Sequence, residues 1–198
     1  MTRIVSGYAG SLSLAVPKSG TRPTSDRVRE AVFSSLEAMD AVRGMRVLDL
    51  YAGSGALALE AVSRGAASAV LVEQGAQAAG MCRRNAGAVV RSVEKAGTGI
   101  RPTVDVRQSS VRSYLAQPGV ADVDLAFLDP PYDVSESELS AVLTALLPRL
   151  TPDAVVVVER SARSPEPLWP LGLEPLRSKT YGETVVRYAQ PAAPSQSA

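Results

Sequence analysis

The sequence predicts an α/β protein built on a doubly wound, mostly parallel sheet. Three observations carry that prediction. Short apolar runs alternate with amphipathic segments along most of the 198 residues. One run, over residues 45–51, leads into Ala52-Gly53-Ser54-Gly55 and then a helical pattern. That strand–glycine loop–helix order lets a ligand approach backbone N–H groups at a helix start. Another run, over 123–128, stops abruptly at Asp129-Pro130-Pro131-Tyr132. In an open parallel sheet the carboxyl ends of the strands share one rim, so both loops belong to the same rim.

Composition bounds the rest. At 45% apolar residues the chain can bury one substantial core. The formal net charge is +1, so a polyanionic partner must be held by a local basic face. There is one cysteine, Cys82, and no histidine. Disulfides within the chain, multi-cysteine zinc sites and imidazole acid–base chemistry are thereby excluded, and no metal is expected. No apolar stretch approaches the ~20 residues of a membrane span, and no signal-peptide core opens the chain. The expectation is a cytoplasmic, soluble monomer.

In chain order, Arg3-Ile4-Val5 and the alternation of Leu12, Leu14 and Val16 with small residues predict a β-hairpin turning near 7–10. Pro17 and Gly20 close it. Thr24 or Ser25 then caps a helix with Asp26 in its first turn and a Val28, Val32, Phe33, Leu36 stripe. Arg22, Arg27 and Arg29 crowd its entry. Through Arg29 the chain holds five basic residues against one acid, Asp26. Together with Arg3 these read as a phosphate-binding surface, because arginine forks match phosphate geometry.

The first central strand (45–51) is followed by a helix over 56–64 capped by Gly65. A second strand, 69–73, ends in Glu73, 20 residues after Gly53, where an acid can accept both hydroxyls of a ribose. A helix over 77–90, a charged loop over 91–101, a third strand over 103–107 and a short helix over 110–117 follow. After the fourth strand, 123–128, Ser135 caps a helix over 136–149. Residues 154–159 form a fifth, central strand. Leu173 to Thr180 and Thr184 to Tyr188 close the sheet as an antiparallel pair around Gly182. The organisation is an N-terminal extension (1–20), a main domain (21–189) and a Pro/Ala/Ser-rich disordered tail (190–198).

Proline fixes φ and donates no hydrogen bond, so the loop at 129–132 is stiff and rich in acceptors. One carboxylate, two carbonyls and the Tyr132 ring suit a planar base bearing an amino group. Here the residues resemble a known group. Asp49-Leu50-Tyr51-Ala52-Gly53-Ser54-Gly55 is similar to the first motif of class I S-adenosylmethionine-dependent methyltransferases. Asp129-Pro130-Pro131-Tyr132 is similar to their amino-methylating signature. Residues 22–30, 56–66 and the closing Tyr181-Gly182-Glu183-Thr184 resemble the RsmD family over about 3–189.

The resemblance implies a Rossmann-like fold with a seven-stranded sheet and S-adenosyl-L-methionine as cofactor. It implies methyl transfer to N2 of a guanine in 16S rRNA, guanine 966, on naked RNA or on the assembling small subunit. Residue by residue it assigns catalysis to Asp129, Pro130 and Tyr132. It assigns the cofactor to Asp49, Tyr51, Gly53, Ser54, Gly55, Glu73 and Asp129. Where the family carries Gly-Asp after its third strand this chain has Gln108-Ser109, so Ser109, Ser110 or a backbone carbonyl takes the adenine contact. RNA contacts fall to Arg3, Arg22, Arg27, Arg29 and Tyr132. Two other readings share some of these features. A DNA adenine-N6 or cytosine-N4 methyltransferase has the same proline loop, and a non-catalytic ribosome-assembly factor could keep the fold. Residues 22–30 argue against the first, and intact Asp129 and glycines against the second.

Overall fold

The computed structural model describes residues 2–16, 25–97, 99–118 and 122–193. Its main sheet has seven strands in the order β5-β4-β3-β6-β7-β9-β8. The strands are β3 (Arg46–Leu50), β4 (Ser68–Glu73), β5 (Thr103–Gln108), β6 (Val123–Leu128), β7 (Leu150–Ser161), β8 (Leu173–Tyr181) and β9 (Thr184–Pro191). Pairing is parallel from β5 through β7 and antiparallel for β9 against both β7 and β8. A separate two-stranded ladder joins β1 (Thr2–Arg3) to β2 (Ser13–Leu14).

Alternation along the strands builds two cores. Val47, Leu71, Leu125, Phe127, Val155 and Val157 face one layer; Leu48, Val72, Ala126, Leu128, Val156 and Val158 face the other. The first layer contains α1 (Asp26–Glu37), α2 (Ala56–Ser63) and α3 (Ala76–Lys95). The second contains α4 (Val111–Leu115) and α5 (Glu136–Leu146). Strands buried on both faces read as continuous apolar runs, which is why β6 and β7 are so conspicuous. Phe33 of α1 meets Phe127 of β6 at a centroid distance of 5.8 Å.

Caps fall where the side chains allow them. Ser25 accepts the Val28 N–H at 3.3 Å. Ser135 and Glu138 form a reciprocal capping box on α5. Several boundaries differ from the sequence expectation; β7 begins at Leu150 and not at 154, and α5 gives way to a 3-10 turn over Leu147–Arg149. Helix α3 runs on to Lys95, because Val93 continues the stripe of Cys82, Ala86 and Val89 and the arginines simply face outward. The hairpin ladder is two residues long, because the N–H groups of Val5 and Ser6 turn to the Glu60 carboxylate at 2.7 and 2.9 Å. Gln190 and Pro191, expected in the tail, end β9; of that tail, 194–198 lie outside the described residues, as do Pro17 and Gly20. Among the described residues no helix is long and apolar enough to cross a membrane.

Candidate active site

The chain builds β3, β4 and β5 outward in one direction, then returns to place β6 on the other side of β3. The topological switch point therefore lies between β3 and β6, where such sheets open a crevice at the carboxyl ends. Leu50 pairs with Leu128 at this rim. The next residues on each strand are the glycine loop and the proline loop.

Asp49 is the one carboxylate of β3 and is 2% exposed. It accepts the Ala58 N–H at 3.2 Å, and so caps α2 from a neighbouring strand, since Gly55 at the N-cap has no side chain to do so. Burial raises the Asp49 pKa to about 7, against the Ala58 hydrogen bond and with a further push from Glu73. Tyr51 takes a left-handed backbone at φ 69°, as do Gly53 (55°) and Gly55 (82°), so the chain reverses sharply over the rim. A Cβ on Gly55 would stand 2.8 Å from Leu71 Cδ2 and 2.9 Å from Cys82 Sγ, whereas one on Gly53 would meet open space. Gly55 is thus required by the core, and Gly53 leaves a cradle over its backbone.

Glu73 closes the other side. Its two oxygens accept the N–H groups of Gly53 at 2.9 Å and Gly75 at 2.7 Å. The backbone N–H of Ser109 donates to the Glu73 carbonyl at 3.1 Å. That contact brings Ser109 to the rim, while the Ser110 hydroxyl is committed to capping α4 through Ser113. Sequence reasoning did not single out Asn85 for the site. It is 5% exposed and donates to the carbonyls of Ser54 and Ala15, both at 2.9 Å, while accepting the Ala15 N–H. A polar residue on the apolar stripe of α3 was the signal for it. Cys82 lies on the same stripe; burial pushes its thiol up to about 12, so it is packing and not a nucleophile.

Across the crevice, burial and then the charges of Glu159 and Asp49 raise the Asp129 pKa well above the ordinary carboxylate range, while Arg160 opposes them. Pro130 is buried and Tyr132 is 76% exposed. The loop is held by Arg160, a residue the motif reading missed. Arg160 is the last residue but one of β7, is 8% exposed, and donates to the carbonyls of Val134 (2.9 Å) and Pro131 (3.5 Å) and to Glu136 Oε1 (2.7 Å). An arginine one residue past a run of valines and a glutamate was its only trace in the sequence.

The expected RNA-contact arginines separate. Arg3 and Arg27 are exposed, with Arg3 paired to Asp26 at 3.1 Å. Arg22 lies outside the described residues. Arg29 is a correction: it is fully buried, pairs with Asp26 at 2.9 Å and Glu60 at 3.6 Å, and donates to the Arg3 carbonyl. A guanidinium enclosed by two carboxylates and a carbonyl holds the fold together and cannot reach a phosphate. Its partner Glu60 is equally buried and also receives Arg64. Among the described residues no cluster of His, Cys, Asp or Glu could hold a metal ion.

Residues 2–190 match the family model described as conserved hypothetical protein 95. The chain belongs to this family, the RsmD family. Ribosomal RNA small subunit methyltransferase D of Escherichia coli (strain K12) is 34% identical over 196 residues, 98% of this chain and 92% of its own. The protein of the same description from Haemophilus influenzae is 33% identical over 190 residues, 95% of this chain and 93% of its own. The solved structure of yhhF from Escherichia coli superposes with a TM-score of 0.77 at 30% identity, covering 96% of this chain and 97% of that one. Beyond the RsmD family, the rRNA methyltransferase aviRa of Streptomyces viridochromogenes shares the fold, with a TM-score of 0.67 at 16% identity over 89% of this chain and 88% of that one.

Proposed function

We propose that this chain transfers a methyl group from S-adenosyl-L-methionine to the exocyclic N2 of one guanine in 16S rRNA, guanine 966 by family resemblance. The observation that carries the reading is the meeting of the glycine loop and the Asp129 loop at the switch point of the sheet. Membership of the RsmD family, whose relatives are described as small-subunit rRNA methyltransferases, supports the choice of RNA.

The residues present fit the cofactor. Open space over Gly53 admits it to the backbone, Glu73 offers carboxylate oxygens for a ribose, and Asp49 offers a buried acid near the loop. When bound, the cofactor supplies a sulfonium methyl already activated for transfer. The chain's own task is alignment and proton handling. In this proposal the Asp129 carboxylate and the Pro130 carbonyl accept hydrogen bonds from the guanine amine. Those bonds draw the nitrogen toward tetrahedral geometry and expose its lone pair. A raised Asp129 pKa suits it to take up the amine proton as the new N–C bond forms. Tyr132 stacks on the extruded base, a contact worth about 1–3 kcal/mol that offsets part of the unstacking cost. Tyr51, Ser54, Ser109 and the backbone of Ser110 complete the cofactor rim, and Arg3, Arg22 and Arg27 contact RNA phosphates.

The test is to incubate unmodified small-subunit particles, naked 16S RNA and duplex DNA with labelled cofactor. The expected product is N2-methylguanosine in RNA. N6-methyladenine or N4-methylcytosine in DNA would replace the reading with the DNA enzyme, and no transfer to any substrate would point to an assembly factor.

A further inference from the structure

Charge is distributed unevenly along this nearly neutral chain. Residues 74–121 contain seven basic side chains and two acids, a balance of +5; the remainder holds fourteen basic against eighteen acidic, a balance of −4. The fold gathers most of the basic part onto one side. Strand β5 is the edge of the sheet, with α3 packed beside it. Arg83, Arg84, Arg91 and Lys95 on α3, Arg101 just before β5 and Arg107 on β5 are all exposed there, whereas Arg112, on α4, belongs to the opposite layer. Of the two acids here, Asp105 is paired with Arg107 at 2.6 Å. Arg84, Arg91 and Lys95 are seven and four residues apart, so they line one side of α3. Glycine opens that helix twice. A Cβ on Gly80 would meet nothing within 4 Å, and the Arg91 guanidinium lies 3.2 Å from where a Gly87 Cβ would be. Glycine weakens a helix, and a merely solvated face has no need of it. Beside arginines, Gly80 leaves a phosphodiester chain room to approach, while Gly87 makes room for the Arg91 guanidinium itself.

We propose that the α3–β5 edge is an RNA-backbone surface that holds the strand flanking the target nucleotide through its phosphates. The proposal rests on the rRNA substrate reading above. Strand β5 stands three positions from β6, about 15 Å at the usual strand spacing. RNA held there crosses the cofactor crevice before it reaches Tyr132. The contacts are to phosphates, so they add affinity without reading sequence.

The test replaces Arg84, Arg91, Lys95 and Arg101 together by Gln and measures RNA affinity against salt, with cofactor affinity as the control for folding. RNA binding near physiological salt is expected to weaken at least tenfold. The slope of log affinity against log salt should fall by about 2–3, with cofactor affinity unchanged. A companion chain with Arg84→Lys, Arg91→Lys and Arg101→Lys is expected to keep the original slope. Unchanged RNA affinity in the Gln set, or equal loss in the Lys set, overturns the surface while leaving the substrate reading intact. A wild-type chain that binds cofactor but no RNA overturns the substrate reading itself.

Discussion

Asp129 draws its raised proton affinity from its surroundings: burial first, then the carboxylates of Glu159 and Asp49, with Arg160 opposing them. Arg160 also carries the loop, through the Pro131 and Val134 carbonyls. Asp129→Ala should leave cofactor affinity near wild type and abolish methyl transfer, as single-turnover assays would show; retained turnover would remove Asp129 from the chemistry. Arg160→Met should leave cofactor affinity unchanged and lower turnover roughly 10–100-fold, since small misplacements cost that much. It should also move the activity profile to higher pH, because removing a nearby positive charge raises the Asp129 pKa further. A lowered rate with an unmoved profile would confine Arg160 to packing. Asp49 gives a stability test. Its folded pKa, about 7, is above the ordinary value of 3.8. The folded state therefore binds more protons between those pH values, and stability falls as pH rises through that window. Asp49→Asn should flatten this dependence and stabilise the ligand-free protein at pH 8 by roughly 2–4 kcal/mol. The same change should cost cofactor affinity; denaturant titrations at pH 5 and 8 with calorimetry of cofactor binding measure both.

The N-terminal extension is the element whose role the sequence conveyed least. Its alternation predicted a hairpin, and a hairpin of that size needs something to dock on. The dock is assembled from residues on α2 and α3 whose place in the sequence carried no sign of these partners. Ile4, Ala9 and Leu14 enter the core, Glu60 takes the Val5 and Ser6 N–H groups, and Ser63 takes those of Tyr8 and Ala9. Gly7 sits so close that a Cβ would stand 2.1 Å from the Ser63 carbonyl oxygen, at φ 84°. Gly7→Ala should therefore cost about 2–4 kcal/mol of stability, read from the denaturation midpoint. Through Asn85 the extension also reaches the glycine loop, from Ala15 to Ser54. Asn85→Ala leaves both carbonyls without that donor and should weaken cofactor binding about tenfold. Cofactor affinity equal to wild type would separate the extension from the cofactor site.

Across the whole molecule, what the sequence made legible was what repeats or punctuates. Central strands buried on both faces announce themselves as apolar runs, and Gly53, Gly55, Pro130 and Pro131 mark where the chain turns at the rim. Long-range polar partners left no such signal. Asn85, Glu60 and Arg160 hold partners 24 to 70 residues away in sequence, and only the fold brings those partners within reach. Arg29 shows the same limit from the other side: two residues after Arg27 it reads as surface, yet two helical steps turn it into the core. The distribution of charge is likewise a property of the folded molecule. A net charge of +1 gives no hint of the strip along α3 and β5, because the acids that balance it lie elsewhere. That separation makes substrate length a variable. About 15 Å from β5 to β6 corresponds to roughly five stacked nucleotides. An RNA fragment too short to span it should be methylated equally well by the wild type and by the chain lacking the four basic residues. Larger rRNA should show a widening gap in kcat/KM as its flanks reach the basic edge, and the gap should close at high salt, where phosphate contacts are screened. A penalty that is the same for every length would place the RNA path on another face of the protein.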